Sequence, residues 1–222
     1  MEDGKIVMIN ILYEDNHLLV AVKPIGVLSQ ADGSNTEDML TLLKQYLKEK
    51  YHKPGNVYLG LVHRLDKEVG GIMVFARTSK AAKRLSEQIQ KRQMEKTYWA
   101  IVEGHLAEDG VLENYITRKE YRSYITNESI GKIAKLQYHV KQEDQHDSLV
   151  EIKLETGRHH QIRVQFAHIG HPLLGDTLYG NISSLISRQA LHSNKLSFSH
   201  PITKKEQCFT CPLPDDFQLL LN

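Results

Sequence analysis

Between Leu61 and Gly71 the chain reads Leu-Val-His-Arg-Leu-Asp-Lys-Glu-Val-Gly-Gly, which crowds His63, Arg64, Asp66, Lys67 and Glu68 between an apolar entry and a glycine pair. Gly70-Gly71 permits a tight turn or a close backbone approach. A carboxylate on such a turn is exposed yet rigidly held, which suits a nucleophile or a general base. The same residues also describe a charged surface turn. A second polar cluster runs Thr156-Gly-Arg-His-His-Gln-Ile-Arg163 and continues from Gly170-His171 to Gly175-Asp176 and Tyr179-Gly180. Arg158 and Arg163 are five apart and do not share one helix face, so one can pair with a carboxylate while the other binds phosphate.

Two further patterns resemble metal or redox sites without completing one. His159, His160, His168 and His171 are close in sequence, but no carboxylate accompanies them in an HExxH arrangement, and polar packing explains them equally well. Cys208-Phe-Thr-Cys211 matches C-x-x-C, yet no second pair exists. On a strand, residues i and i+3 face opposite ways, which favours structural cysteines. From Arg77 to Lys96 seven bases, among them Lys80, Lys83 and Arg84, meet only Glu87 and Glu95. Such a stripe is a solvated helix face or a set of phosphate contacts.

The elements that must position these groups are mixed. The 222 residues suffice for one domain, expected over 1–222, and at this size roughly 70% of the unfolded surface is buried. Apolar residues are 41% and charged residues 25%, which excludes a disordered chain, and two cysteines exclude a disulfide scaffold. Glu2 and Asp3 disfavour a signal peptide, and no apolar run approaches the ~18 residues of a membrane span, so a cytoplasmic protein is expected. Residues 17–22 and 71–76 read as buried strands, and 97–103 as another. Alternation predicts half-buried strands over 133–140 and 148–155. Helices are predicted from a cap at Asn35 or Thr36 through Tyr51, after a cap at Thr78 or Ser79, and over 159–168. Residues 195–199 and 207–211 are expected to form a late hairpin. Without a regular βαβ repeat the class is α+β, a mixed and largely antiparallel sheet flanked by helices.

Several ordered motifs together carry a resemblance. They are Tyr13–Val20 with Lys23-Pro24-Ile-Gly26, then His63-Arg-Leu-Asp66, then Lys96-Thr-Tyr98 to Gly104. Thr156–Arg163, Gly170–Gly180, Leu191-His192, Phe198, His200-Pro201 and Pro212-Leu-Pro214 follow in order. From about Ile9 to Phe217 the chain resembles the RluA-type pseudouridine synthases. The resemblance implies isomerisation of uridine to pseudouridine within RNA, ribosomal or transfer, with no metal, nucleotide or redox cofactor. No membrane, no obligatory protein partner and a monomer are expected.

By the same resemblance Asp66 is the catalytic aspartate, nucleophile or base, Arg163 its partner, and Tyr98 the residue that stacks on the target base. Arg64 fills the space left by the flipped nucleotide, and His63, Arg158 and Ile162 join it as substrate-binding residues. Flipping costs a few kcal/mol. Backbone contacts that offset it are expected from Lys80, Lys83 and Arg84. Val69-Gly70 replaces the family's usual Thr-Ser, and Gln165 stands where many members have histidine. Only eight residues precede Ile9, so the small N-terminal RNA-binding module of many relatives is expected to be absent. Two other readings remain: a hydrolase that pairs Asp66 with Asp176, needing room for water between them, and an RNA-binding protein without catalysis.

Overall fold

The computed structural model describes residues 9–106, 108–143 and 146–220, so the expectations drawn from Glu2, Asp3 and the first eight residues lie outside it. In chain order the elements are β1 (Asn10–Glu14), β2 (Leu18–Lys23), α1 (Met39–Lys50), β3 (Gly60–Leu61), β4 (Gly70–Ala76), α2 (Ser79–Gln90) and β5 (Glu95–Glu103). Then come β6 (Gly110–Lys119), β7 (Arg122–Thr126), β8 (Lys132–Glu143), β9 (Asp147–Leu154), α3 (Gln161–His168), β10 (Leu191–Ser199), β11 (Glu206–Thr210) and α4 (Asp215–Leu220).

Among the described residues the strands make one eleven-stranded sheet, with the order β1-β2-β4-β10-β5-β9-β8-β6-β7 and with β3 on β4 and β11 on β10. Only the β4–β10 pairing is parallel, and it spans two residue pairs. The fold is therefore α+β with a mixed, largely antiparallel sheet. No helix among the described residues is long and apolar enough to cross a membrane.

The near-continuous apolar runs of β2 and β4 follow from their place inside the sheet, covered on both faces. Leu19, Ala21, Met73 and Phe75 belong to the cluster that includes Met39, Leu43 and Leu47 of α1. Leu18, Val20, Ile72 and Val74 belong to the opposite cluster, with Ala81 and Leu85 of α2. β8 and β9 alternate, placing Leu136, Tyr138, Val150 and Ile152 inward beside Phe166 of α3.

The sequence placed the caps of α1 too early. Asp38 caps it by accepting the Thr41 N–H, and Asn35 and Thr36 belong to the preceding loop. Thr78, not Ser79, caps α2 by accepting the Ala81 N–H. The 195–199/207–211 hairpin forms with Lys195 opposite Thr210, although β11 stops before Cys211. β1, β6 and β7 carry no strong alternation and were not expected. β6 and β7 join through Glu120-Tyr121, with Glu120 at φ 54°, a hairpin turn without the Asn-Gly or Asp-Gly signal.

Candidate active site

Asp66 lies in the turn between β3 and β4, and this turn is gripped from several sides. Ser29 Oγ donates to the Leu65 carbonyl (2.7 Å) and accepts the Leu65 N–H (3.0 Å). Lys23, fully buried at the end of β2, donates to the Lys67 carbonyl (2.8 Å) and to the carbonyls of Pro24 and Val27. Arg188 donates from Nη1 to the Glu68 carbonyl (3.3 Å), and its Nε and Nη2 donate to Asp216 at the start of α4. Two buried cations thus hold the two carbonyls that follow Asp66. Burial pushes the Lys23 ammonium down to about 8, with Glu68 and Asp66 opposing.

The two glycines after the turn differ in purpose. Gly71 has φ +122°, and a Cβ there would lie 2.1 Å from the Ser193 carbonyl oxygen, so only glycine lets β4 lie against β10. Gly70 stands in place of the family's usual serine. A Cβ there would lie 3.1 Å from Ile25 Cγ1 and 3.4 Å from His192 Nδ1. Val69 is 2% exposed and packs in the main core, where the usual threonine would bring a hydroxyl.

Opposite Asp66 stands Arg163, on the first turn of α3. Its Nη1 donates to Asp66 Oδ2 at 3.2 Å. Its other bonds are shorter and go to Asp176: Nε to Oδ2 at 2.6 Å and Nη2 to Oδ1 at 2.7 Å. Asp176 is held in turn by the Leu178 and Tyr179 N–H groups. The predicted Asp66–Arg163 pair therefore exists as the weaker arm of a three-member group. This arrangement contradicts the paired-carboxylate hydrolase, because both carboxylates share one guanidinium and the Asp176 side chain is inaccessible to water.

The surrounding cleft is about 880 Å³. Tyr98 lies at its inner wall, 6% exposed, and burial with the nearby Asp66 pushes its phenol upward, so it stays neutral. Arg64 is exposed on the rim, and Arg158 lines the wall while its Nε bonds the Ile133 carbonyl (2.9 Å). Ile162 is a buried apolar part of the wall. His63 lines the cleft too, but its Nε2 accepts the Val74 N–H of β4 (3.0 Å). Burial and Lys96 push His63 down to about 3, so it is a neutral structural ring.

Lys80, Lys83 and Arg84 do not line the cleft. Arg84 donates to the Pro201 carbonyl, while Lys80 and Lys83 are exposed elsewhere on α2. From that stretch Arg92 and Lys96 reach the cleft, and Arg118 joins them from β6. Periodicity located the basic face of α2 but not where its end points. Sequence reasoning also missed Asp176 as the chief partner of Arg163, and His160, whose ring lies 3.5 Å from Asp66. The dense polar cluster around them was the available signal.

The remaining motifs are accounted for. His159 and His160 stack at 3.8 Å, His171 Nδ1 meets the Glu103 carbonyl and His168 is exposed, so the four histidines do not converge. Cys208 is exposed and Cys211 half-buried, both as free thiols, and burial pushes Cys211 up to about 11. Gln165 is fully buried, tying α3 to β6 and β8 through the Leu112 and Ala134 carbonyls.

Comparisons with known proteins place the chain in a family. Residues 17–168 match the family model described as RNA pseudouridylate synthase. An RNA pseudouridine synthase of Bacillus subtilis is 39% identical over 96% of this chain and 71% of its own length. A ribosomal large subunit pseudouridine synthase D of Haemophilus influenzae is 36% identical over 96% and 70%. Among solved structures, human RNA pseudouridylate synthase domain containing 4 superposes with a TM-score of 0.77 at 26% identity, covering 94% of this chain and 90% of that one. With an aspartate on a braced turn, an arginine and a tyrosine around one basic cleft, and these matches over most of its length, the chain belongs to the RNA pseudouridine synthase family, of the RluA type.

Proposed function

We propose that residues 1–222 act as one catalytic domain that isomerises uridine to pseudouridine in structured RNA, with a site in large-subunit ribosomal RNA as the first substrate to test. The observation that carries this reading is the Asp66 carboxylate, held 3.2 Å from Arg163 within a cleft that Tyr98 also lines. Seven Lys or Arg residues line that cleft against three carboxylates, a balance suited to a phosphate backbone. The ribosomal target is suggested by the names of the relatives.

As a nucleophile, Asp66 attacks C1′ of the ribose as the bond to uracil N1 breaks. The freed uracil turns and C5 displaces the carboxylate; C5 then gives up its proton and N1 gains one. As a base, Asp66 removes the C2′ proton while the C1′–N1 bond breaks, giving a glycal and a free uracil anion. The uracil turns, C5 bonds to C1′ as C2′ takes the proton back, and C5 then gives up its own proton while N1 gains one. Either route is an isomerisation with no net loss of atoms or electrons. Arg163 keeps the carboxylate charged and aimed, and Tyr98 offers a flat face to the detached base.

The test incubates purified protein with ribosomal and transfer RNA transcripts and maps pseudouridine by nucleotide. The expected outcome is modification of defined uridines in large-subunit RNA, lost with Asp66→Asn. Modification of transfer RNA alone would move the substrate, and no modification of either would refute the reading.

A further inference from the structure

His160 ends the turn before α3 in a left-handed conformation, φ 51°, with its ring inside the cleft. On one side Nε2 faces Asp66 Oδ2 at 3.5 Å. On the other, Nδ1 lies 3.0 Å from the Tyr179 hydroxyl. That hydroxyl accepts the Ser123 N–H of β7 at 2.7 Å. Its single proton is then free for the lone pair of His160 Nδ1, 3.0 Å away. With Nδ1 so occupied, the ring proton sits on Nε2, the nitrogen nearer the carboxylate. Both ends of the ring select the same tautomer.

The ring cannot easily turn away. It stacks on His159 at 3.8 Å and meets Tyr179 edge-on, while Arg122 and Arg163 lie over the Tyr179 ring at 5.1 Å each. The charged and titratable groups around it are Asp66 on the catalytic turn, Arg163 on α3, His159 beside it, and Asp176 and Tyr179 in the following loop. Burial, with Arg163 and His159, pushes the imidazole down to about 4 against the pull of Asp66 and Asp176, so a neutral donor faces the carboxylate.

We propose that His160 is a positioning residue for Asp66, held by Tyr179 as the Nε2–H tautomer so that this N–H and the Arg163 guanidinium together aim the reactive carboxylate. Ser123 fixes Tyr179, so the β6–β7 hairpin at the far edge of the sheet becomes part of the same constraint. The role rests on the proposed synthase activity, whereas the tautomer can be read without it.

The first measurement is the long-range 1H–15N NMR spectrum of the unmodified protein. It should report His160 as the Nε2–H tautomer, and Tyr179→Phe should release that preference. An Nδ1–H ring in the unmodified protein overturns the proposal whether or not any RNA is modified. The second is single-turnover kinetics at saturating RNA, with melting temperature followed in parallel. His160→Leu should lower the saturated rate by about tenfold to a hundredfold, the loss expected from a reacting group misplaced by up to ~1 Å, with little change in RNA affinity. His160→Gln keeps an N–H near the position of Nε2 and should recover most of that rate. Equal rates for the leucine variant and the unmodified protein, equal losses for glutamine and leucine, or a loss confined to affinity would each overturn it. If His160→Leu does not fold, Tyr179→Phe decides through the same rate, expected to fall at least severalfold.

Discussion

Arg163 serves two carboxylates at once, and the bond lengths say how unevenly. Asp176 takes the two short bonds and Asp66 the long one, so Asp176 fixes the guanidinium and Asp66 rests against what remains. Arg163→Lys keeps the charge but loses the planar fork, and a lysine can satisfy only the nearer, buried Asp176 well. The saturated rate should fall on the order of a hundredfold while RNA affinity changes little. An unchanged rate with weakened binding would make Arg163 an RNA contact. Asp66→Asn keeps the shape but removes the reactive oxygen, so isomerisation should vanish in a protein whose urea midpoint is nearly unchanged. Measurable turnover by a cleanly folded Asp66→Asn would remove Asp66 from its role. At this scale the sequence was legible where a motif names a residue, as for Asp66, Tyr98 and Arg163. It was silent on Asp176 to Arg163, which depends on how the 170–180 loop folds back over α3, and on His160 to Asp66, which depends on how the turn before α3 meets the β3–β4 turn.

Among the elements, β2 and β4 were the easiest to read, since strands buried on both faces leave continuous apolar runs. β6 and β7 were the hardest. They lie at the outer edge of the sheet, few of their side chains are buried, and the turn between them uses glutamate and tyrosine. The Lys-Pro-x-Gly turn after β2 was visible as a turn, but its purpose was not. The buried Lys23 ammonium joins the carbonyls of Pro24, Val27 and Lys67, so the end of β2 braces the turn that carries Asp66. Lys23→Met keeps the stem and leaves those carbonyls short of a donor, while the Lys67 carbonyl retains the Gly26 N–H. An orphaned buried acceptor costs about 1–3 kcal/mol, and relief from burying a charge offsets part of it, so a net loss of about 2 kcal/mol is expected. The saturated rate should fall with it. The sign of the pH dependence follows from a folded pKa near 8 against 10.5. Between these values the unfolded chain holds the extra proton, so this group makes stability rise with pH, and the rise should be absent in Lys23→Met. Urea titrations at pH 8 and 10 on both proteins measure it, and parallel behaviour would deny Lys23 its buried charge.

For the whole molecule, a net charge of +1 says little about the partner, because the charges are sorted rather than spread. Buried neutral histidines shape the acid side of stability: His63 is pushed to about 3, and His160 and His192 to about 4, each chiefly by burial. Their folded values lie below 6.5, so the unfolded chain gains protons first and stability falls as pH drops from about 6.5 toward 4. Each contributes at most about 1.4 kcal/mol per pH unit. Urea midpoints flat from pH 7 to 5 would contradict this. The sorting of charge has a second consequence, at the surface. Arg92, Lys96 and Arg118 converge on the cleft from the turn after α2, from β5 and from β6, whereas Lys80 and Lys83 project elsewhere. If RNA lies in the cleft, each lost phosphate contact lowers the slope of log affinity against log salt by about 0.7 to 0.9. Lys96→Gln combined with Arg118→Gln should therefore flatten the slope by about 1.4 to 1.8 and weaken binding most at low salt. Lys80→Gln with Lys83→Gln should leave it nearly unchanged. Dissociation constants for both pairs over a range of salt concentrations test this. The reverse pattern would lay the RNA across the outer face of α2, and the cleft would then hold the target nucleotide alone.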